Sequence, residues 1–298
     1  QDEYTCFFMV ADLHSLTTHP DTKGLKGSIR QVIAEYLACG LDPDRAALFC
    51  QSHVYETSDL YLLVNMLAYL GELEKTASFK DKVRQQPENV NAGLLTYPVL
   101  MSADILLHRA HLVPVGKDQE QHLEMARNYA NRFNHRYSEV FPEPHAFNYG
   151  SELVKILGLD GKGKMSKSEN QNATLYLSDT EQQIIDKIKK AKTDTGVPNP
   201  DGSKHDFIQS LFTLMRLVSS ADVVKHFDDQ YTAGGIRYGD MKKQLGEDMV
   251  NFIRPIREKA DAIRNDEKYL RKIMEEGAAK ARKSAGETVA MVKEAMGM

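Results

Sequence analysis

Tryptophan is absent from the 298 residues, cysteine occurs three times, and no apolar run approaches the ~18 residues that span a bilayer. Each scarcity removes a class of protein. Cys6, Cys39 and Cys50 are an odd number with no C-x-x-C spacing, which excludes a cysteine-built zinc site and a disulfide scaffold. They read as reduced, buried thiols of a cytosolic protein. The start, Gln1-Asp2-Glu3, carries no basic segment ahead of an apolar core, so neither a secretory signal nor a membrane anchor is expected.

With 42% hydrophobic and 27% charged residues the chain can build a folded core. A net charge of -4 excludes a simple nucleic-acid glue. The average hides a gradient. Residues 251–298 hold 11 Lys plus Arg against 8 Asp plus Glu, or +3, which leaves -7 on the preceding residues.

Tyr4 to Ala11 is apolar on both faces, as in a buried parallel strand, and ends in Asp12-Leu13-His14. Leu25, Ile29, Val32, Ile33, Tyr36 and Leu37 repeat at helical spacing and stop at Gly40. A strand over 46–50 follows, then a helix from Leu60 through Leu70 ending at Gly71, a helix over 93–109 and a strand over 111–115. This alternation predicts an α/β fold with a Rossmann-like parallel sheet. Beyond about residue 170 the pattern turns helical. Ser178 and Glu181 have capping-box spacing, and residues 207–219 and most of 244–298 read as helix. The expected organisation is a catalytic domain over 1–177, a helical domain over 178–262, and C-terminal helices over 263–298 that pack back on the first domain.

The segment Gly161-Lys-Gly-Lys-Met-Ser-Lys-Ser168 sets lysines among glycines and hydroxyls. Mobile ammonium groups can close over the charge that develops when a phosphate bond breaks. Residues 158–164 also fit the spacing G-x-x-x-x-G-K, but the next position must give magnesium a hydroxyl and is Met165. A solvated basic loop is the bland alternative. Against both, Lys164-Met165-Ser166-Lys167-Ser168 is identical to the KMSKS signature of class I aminoacyl-tRNA synthetases.

Tyr97, Met101, Asp104 and His108 fall on one helix face. Asp104 stands in Met-Ser-Ala-Asp-Ile-Leu-Leu, where a buried carboxylate needs a specific hydrogen-bond donor. An indole N–H is such a donor, and so is a tyrosine hydroxyl. Val113-Pro-Val-Gly-Lys-Asp-Gln-Glu-Gln-His122 reads as a strand end, a glycine that lets a ligand approach, and a helix start. Asp118 and His122 have a spacing that can bind metal, with a helix cap and a core histidine as the alternative, and no metal site is expected.

Beyond the signature loop, Ala11-Asp-Leu-His-Ser-Leu-Thr17, Gln51-Ser52, Tyr69 to Glu74, Gly93 to Pro98, Met101 to Asp104, Val113 to Gln119 and Arg254-Pro-Ile-Arg257 resemble bacterial-type tryptophanyl-tRNA synthetases. The resemblance implies adenylation of tryptophan by ATP with Mg2+, then transfer to tRNA(Trp), by a cytoplasmic homodimer. It implies a tryptophan pocket of Asp104, His14, Tyr97, Met101, Val115 and Gln119. It assigns Gly116, Asp118, Gln119, Lys164, Met165, Ser166, Lys167 and Ser168 to ATP, with Lys164, Ser166 and Lys167 catalytic. Glu120-Gln121-His122 differs from the sequence usual in tyrosyl relatives, which favours tryptophan. A tyrosine-specific relative and a non-catalytic tRNA- or amino-acid-binding paralogue remain as alternatives. The family's HIGH-type turn is expected ahead of Tyr4, in a longer chain. The helical part is expected to read the anticodon, with Lys187, Lys189, Lys190 and Lys192 as candidate phosphate contacts.

Overall fold

The computed structural model describes residues 1–116, 119–147, 156–166, 170–196, 199 and 201–298. The chain divides into two compact units, Gln1–Ser151 with Ile263–Met298, and Glu152–Ala262. Residues 156–166, with the start of the KMSKS segment, thus group with the helical unit.

In the first unit, strand β1 (Cys6–Val10) pairs in parallel with β2 (Ala46–Cys50), Cys6 opposite Ala46 and Val10 opposite Cys50. Strand β3 (Leu112–Pro114) pairs in parallel with β4 (His145–Phe147). The described strands therefore form two short parallel pairs rather than one continuous sheet. A cleft of about 1300 Å³ lies beside them, lined by residues of β1 and β3. β2 is fully buried, whereas every residue of β1 is half-exposed, because its second edge borders that cleft. The thiols differ in the same way: Cys50 is buried, Cys6 is partly exposed, and Cys39, just past a helix end, faces solvent rather than the core expected for it.

Helix α1 (Asp12–Ser15) turns off the end of β1, and α2 (Leu25–Ala38) carries the chain to β2. The helix read across Leu60 to Leu70 is two: α3 (Glu56–Asn65) and α4 (Leu70–Leu73), with Gly71 inside α4 instead of ending a helix. Leu60, Val64 and Leu67 face the core, but Leu70 is 59% exposed, so its helical spacing is coincidental. Helices α5 (Ala77–Gln85) and α6 (Ala92–Leu107) lead to β3, and α7 (Glu120–Arg136) follows it. α6 is apolar nearly all round and packs against α3 and α7.

The second unit holds α8 (Glu181–Lys189), α9 (Asp206–Val218), α10 (Ala221–Thr232) and most of α11 (Tyr238–Asn265) around Ile184, Ile188, Phe212, Met215, Tyr231 and Leu245. The capping box of α8 is made by Thr180 and Gln183, two residues beyond the expected pair. Glu181 is instead held by Arg254 (2.7 Å) and Arg257 (3.4 Å). The Arg254-Pro-Ile-Arg257 segment is thus a clasp on the start of α8.

Helix α12 (Glu267–Ala295) belongs to the first unit and lies against β2. Gly277 makes this possible. A β-carbon there would fall 1.8 Å from the Leu48 carbonyl oxygen.

Candidate amino-acid site and nucleotide loop

The carboxyl ends of β1 and β2 and the middle of α6 converge. Asp12 closes the first of these ends, accepting from the backbone of Leu13 and Ser52, both at 3.0 Å, and from the Ser52 hydroxyl. Two residues on, His14 Nε2 donates to Asp104 Oδ2 at 2.9 Å. Gln51, directly after β2, donates from Nε2 to Asp104 Oδ1 and Oδ2, each at 2.9 Å. Asp104 is 9% exposed, and burial pushes its carboxyl above the ordinary range while the bonds from His14 and Gln51 pull against that rise.

Tyr97, two turns before Asp104 on α6, sets its ring edge-on to His14 with centroids 6.4 Å apart. Its hydroxyl shares a 2.9 Å hydrogen bond with His122 Nε2, and Ser78 approaches the same nitrogen at 3.4 Å. Lys82 of α5 sits 3.7 Å over the Tyr97 ring, and burial lowers its ammonium pKa. His14, Tyr97 and Asp104 are therefore brought together as expected. Gln51 and Lys82 join them without a role having been read for either. His122 is a buried core histidine.

Met101 and Val115 pack in a small cluster with Ile105, Leu123 and Ala126. Gln119 opens α7, its N–H bonded to the Gly116 carbonyl at 2.9 Å. Asp118 falls outside the described residues. His108 follows the last residue of α6 and turns from the face of Tyr97 to stack on Phe7, with centroids 4.1 Å apart. Of the expected pocket residues only Asp104 lines the large cleft, so that volume does not measure the amino-acid site.

In the second unit, Lys164 forms an antiparallel bridge with Leu157, and the Met165 N–H bonds the Ile156 carbonyl at 2.9 Å. The Ser166 carbonyl accepts from Thr174 at 3.0 Å. Gly161 and Gly163 take positive φ, and a β-carbon on Gly161 would strike Lys192 and Phe207. The glycines serve the turn, and the Lys164 side chain stays exposed. Lys167 and Ser168 lie outside the described residues. Among the candidate phosphate contacts, Lys187 is spent internally, pairing with Asp179 at 2.7 Å and donating to the Thr174 carbonyl at 2.8 Å. Lys189, Lys190 and Lys192 are exposed.

Residues 1–254 match the family model of class I tRNA synthetases (W and Y). The chain is 53% identical over its full length to the tryptophan--tRNA ligase of Porphyromonas gingivalis, covering 90% of that protein. Its fold matches the tryptophanyl-tRNA synthetase of Campylobacter jejuni complexed with ADP and tryptophane, with a TM-score of 0.87, 32% identity, and coverage of 100% of this chain and 91% of that one. The enzyme from Mycoplasma pneumoniae gives a TM-score of 0.83 at 31% identity, covering 100% and 89%. The chain belongs to the class I tRNA synthetases of the tryptophan and tyrosine group and, within that group, to the tryptophan--tRNA ligases.

Proposed function

We propose that this chain activates tryptophan with ATP and transfers it to tRNA(Trp), and that Asp104 receives the indole N–H. One observation carries the assignment of Asp104: a nearly buried carboxylate, braced by His14 and Gln51 beside the Tyr97 ring, on a helix that is otherwise largely apolar. Such a group favours a ligand that brings a hydrogen-bond donor, and the 53% identity to a tryptophan--tRNA ligase favours the indole N–H over a tyrosine hydroxyl. The amino-acid carboxylate attacks the α-phosphate, forming tryptophanyl-adenylate and releasing pyrophosphate. The adenylate then esterifies the terminal ribose of tRNA and releases AMP. No covalent enzyme intermediate is needed.

Lys164 and Lys167 supply positive charge to the departing pyrophosphate, and the Ser166 region supports them. Gly116, Asp118, Gln119, Met165 and Ser168 complete the assignment to ATP, while Met101, Val115 and Gln119 complete that to tryptophan. Among the described residues no group of three His, Cys, Asp or Glu could hold a metal. Magnesium is assigned as a companion of the nucleotide phosphates, whose charge it neutralises.

The helical second unit is assigned to the anticodon. A homodimer is supported by the family and by the exposed side chains of Leu62, Met66, Tyr69 and Leu70 on and between α3 and α4, with Tyr55 just ahead of α3, and sedimentation velocity tests it. Among the described residues no helix is long and apolar enough to cross a membrane, and the three unpaired thiols suit the cytoplasm. Amino-acid-dependent ATP–pyrophosphate exchange decides the activity. It is expected with tryptophan and not with tyrosine; exchange with tyrosine, or none by the full-length gene product, overturns the reading.

A further inference from the structure

One buried amide joins three segments of the first unit. Gln51 has no exposed surface. Its Oε1 accepts from the backbone N–H groups of Leu13 (3.1 Å) and His14 (3.3 Å), and its Nε2 donates to both oxygens of Asp104. A primary amide has two N–H donors and an oxygen with two lone pairs, and here both ends are engaged. Flipping it would set N–H against N–H and carbonyl oxygen against carboxylate. The amide is therefore locked, and it locks the plane of the carboxylate.

The two carboxylate oxygens are not equivalent. Oδ2 takes donors from both His14 and Gln51, whereas Oδ1 accepts from Gln51 alone among the described residues. The greater remaining acceptor capacity lies on Oδ1. We infer that Gln51 is a positioning residue for tryptophan recognition: it orients Asp104 so that Oδ1 is presented to the indole N–H. The inference rests on the assignment of Asp104 as the indole acceptor. Gln51 touches no substrate in this scheme. It acts through Asp104, and through the backbone of His14 it sets where the third member of the cluster stands.

The titratable groups around the amide are Asp12 and His14 at the end of β1 and Asp104 on α6, which makes Gln51→Glu informative. While protonated, the introduced carboxyl group keeps a donor toward Asp104 and an acceptor toward Leu13 and His14. Once ionised, it faces Asp104 as a second carboxylate, and two carboxylates at that distance do not both ionise without cost. Because the chain contains no tryptophan, the fluorescence of bound tryptophan reports affinity directly, without turnover.

Tryptophan affinity of Gln51→Glu is expected to fall by roughly tenfold or more at high pH and to recover as the shared proton is taken up, while the unaltered chain shows no such recovery. Affinity equal to the unaltered chain at every pH overturns the inference. So does a loss that is the same at every pH, since that marks a packing role only. Gln51→Met supplies a second readout. With Asp104 no longer aimed, discrimination between tryptophan and 1-methyltryptophan, which lacks the N–H, is expected to shrink by roughly tenfold; full discrimination counts against the role. Asp104→Asn separates the layers. If it leaves tryptophan affinity unchanged, the assignment of Asp104 itself fails; if it weakens binding while both Gln51 variants bind normally, only the positioning role fails.

Discussion

His14 Nε2 and Asp104 Oδ2 stand 2.9 Å apart, so the turn that leaves β1 is tied directly to the middle of α6. Ninety residues of sequence separate the two. Removing the carboxylate frees His14 and takes away the proposed acceptor at once. Asp104→Ala is expected to raise the KM for tryptophan in pyrophosphate exchange by roughly 10- to 100-fold, the equivalent of about 1.5–3 kcal/mol for a hydrogen bond to a charged group. The KM for ATP is expected to stay within about threefold, and an equal rise in both constants counts against a role confined to the amino acid.

The lysines of the signature loop are assigned to the transition state rather than to substrate binding. Lys164→Ala and Lys167→Ala are each expected to lower kcat for adenylate formation by roughly 100-fold, a loss of about 3 kcal/mol of electrostatic stabilisation. Tryptophan affinity, followed by ligand fluorescence, should barely move. Parallel losses in affinity and rate would place the lysines in ground-state binding.

Helix α12 carries two glycines with opposite surroundings. At Gly277 a β-carbon meets the Leu48 backbone, so Gly277→Ala must push the helix off β2 and is expected to cost about 1–3 kcal/mol. At Gly286 nothing lies within 4 Å, and Gly286→Ala is expected to add about 0.5–1 kcal/mol through helix propensity alone. Urea titrations of the two variants should move in opposite directions.

Burial between Phe7, Phe49 and Ser284 lowers the His108 pKa from 6.5 to about 4. Between those values the unfolded chain binds a proton that the folded chain refuses. The contribution to stability is therefore complete above pH 6.5 and is lost as pH falls toward 4, by about 3 kcal/mol in all. His108→Phe keeps the stack on Phe7 and should flatten this part of the pH–stability curve. A variant that loses stability just as steeply on acidification would rule His108 out as its source.

Lys187 and its neighbours on α8 should separate cleanly. Its contact with Asp179 is largely shielded from water, and Lys187→Ala leaves that carboxylate without its cation, held by the Tyr176 N–H, at an expected cost of about 3 kcal/mol in the stability of the second unit. Lys189→Ala and Lys190→Ala should leave stability unchanged and, if they touch phosphate, reduce the salt dependence of tRNA binding by roughly one unit of log–log slope per contact. Filter binding across a salt series reads the slope, and an unaltered slope removes these two lysines from the tRNA surface.

Asp104 was legible in the sequence because an acid inside an apolar helix is costly, and the cost demands a donor. β2 was legible as a short apolar run, and the KMSKS segment as an identity over five residues. Gln51 was visible as a polar residue at a strand end, but its partners lie 38 and 53 residues away, and one sequence carries no trace of such pairings. The Leu60 to Leu70 misreading has a local cause: helical spacing marks a possible face, and only packing decides that Leu67 is buried while Leu70 is not. The capping box shifted because Glu181 has a stronger partner in Arg254, far along the chain.

Because α12 covers β2, the first unit is completed by residues made after the whole of the second. A growing chain exposes Ala46 to Cys50 for as long as it takes to reach Gly277, roughly ten to fifty seconds at about 5–20 residues per second. The second unit, contiguous in sequence, has its whole length available earlier. During synthesis the strand-and-helix layer that holds Asp104 is the later of the two to close, and the nascent chain carries an uncovered apolar strand until it does.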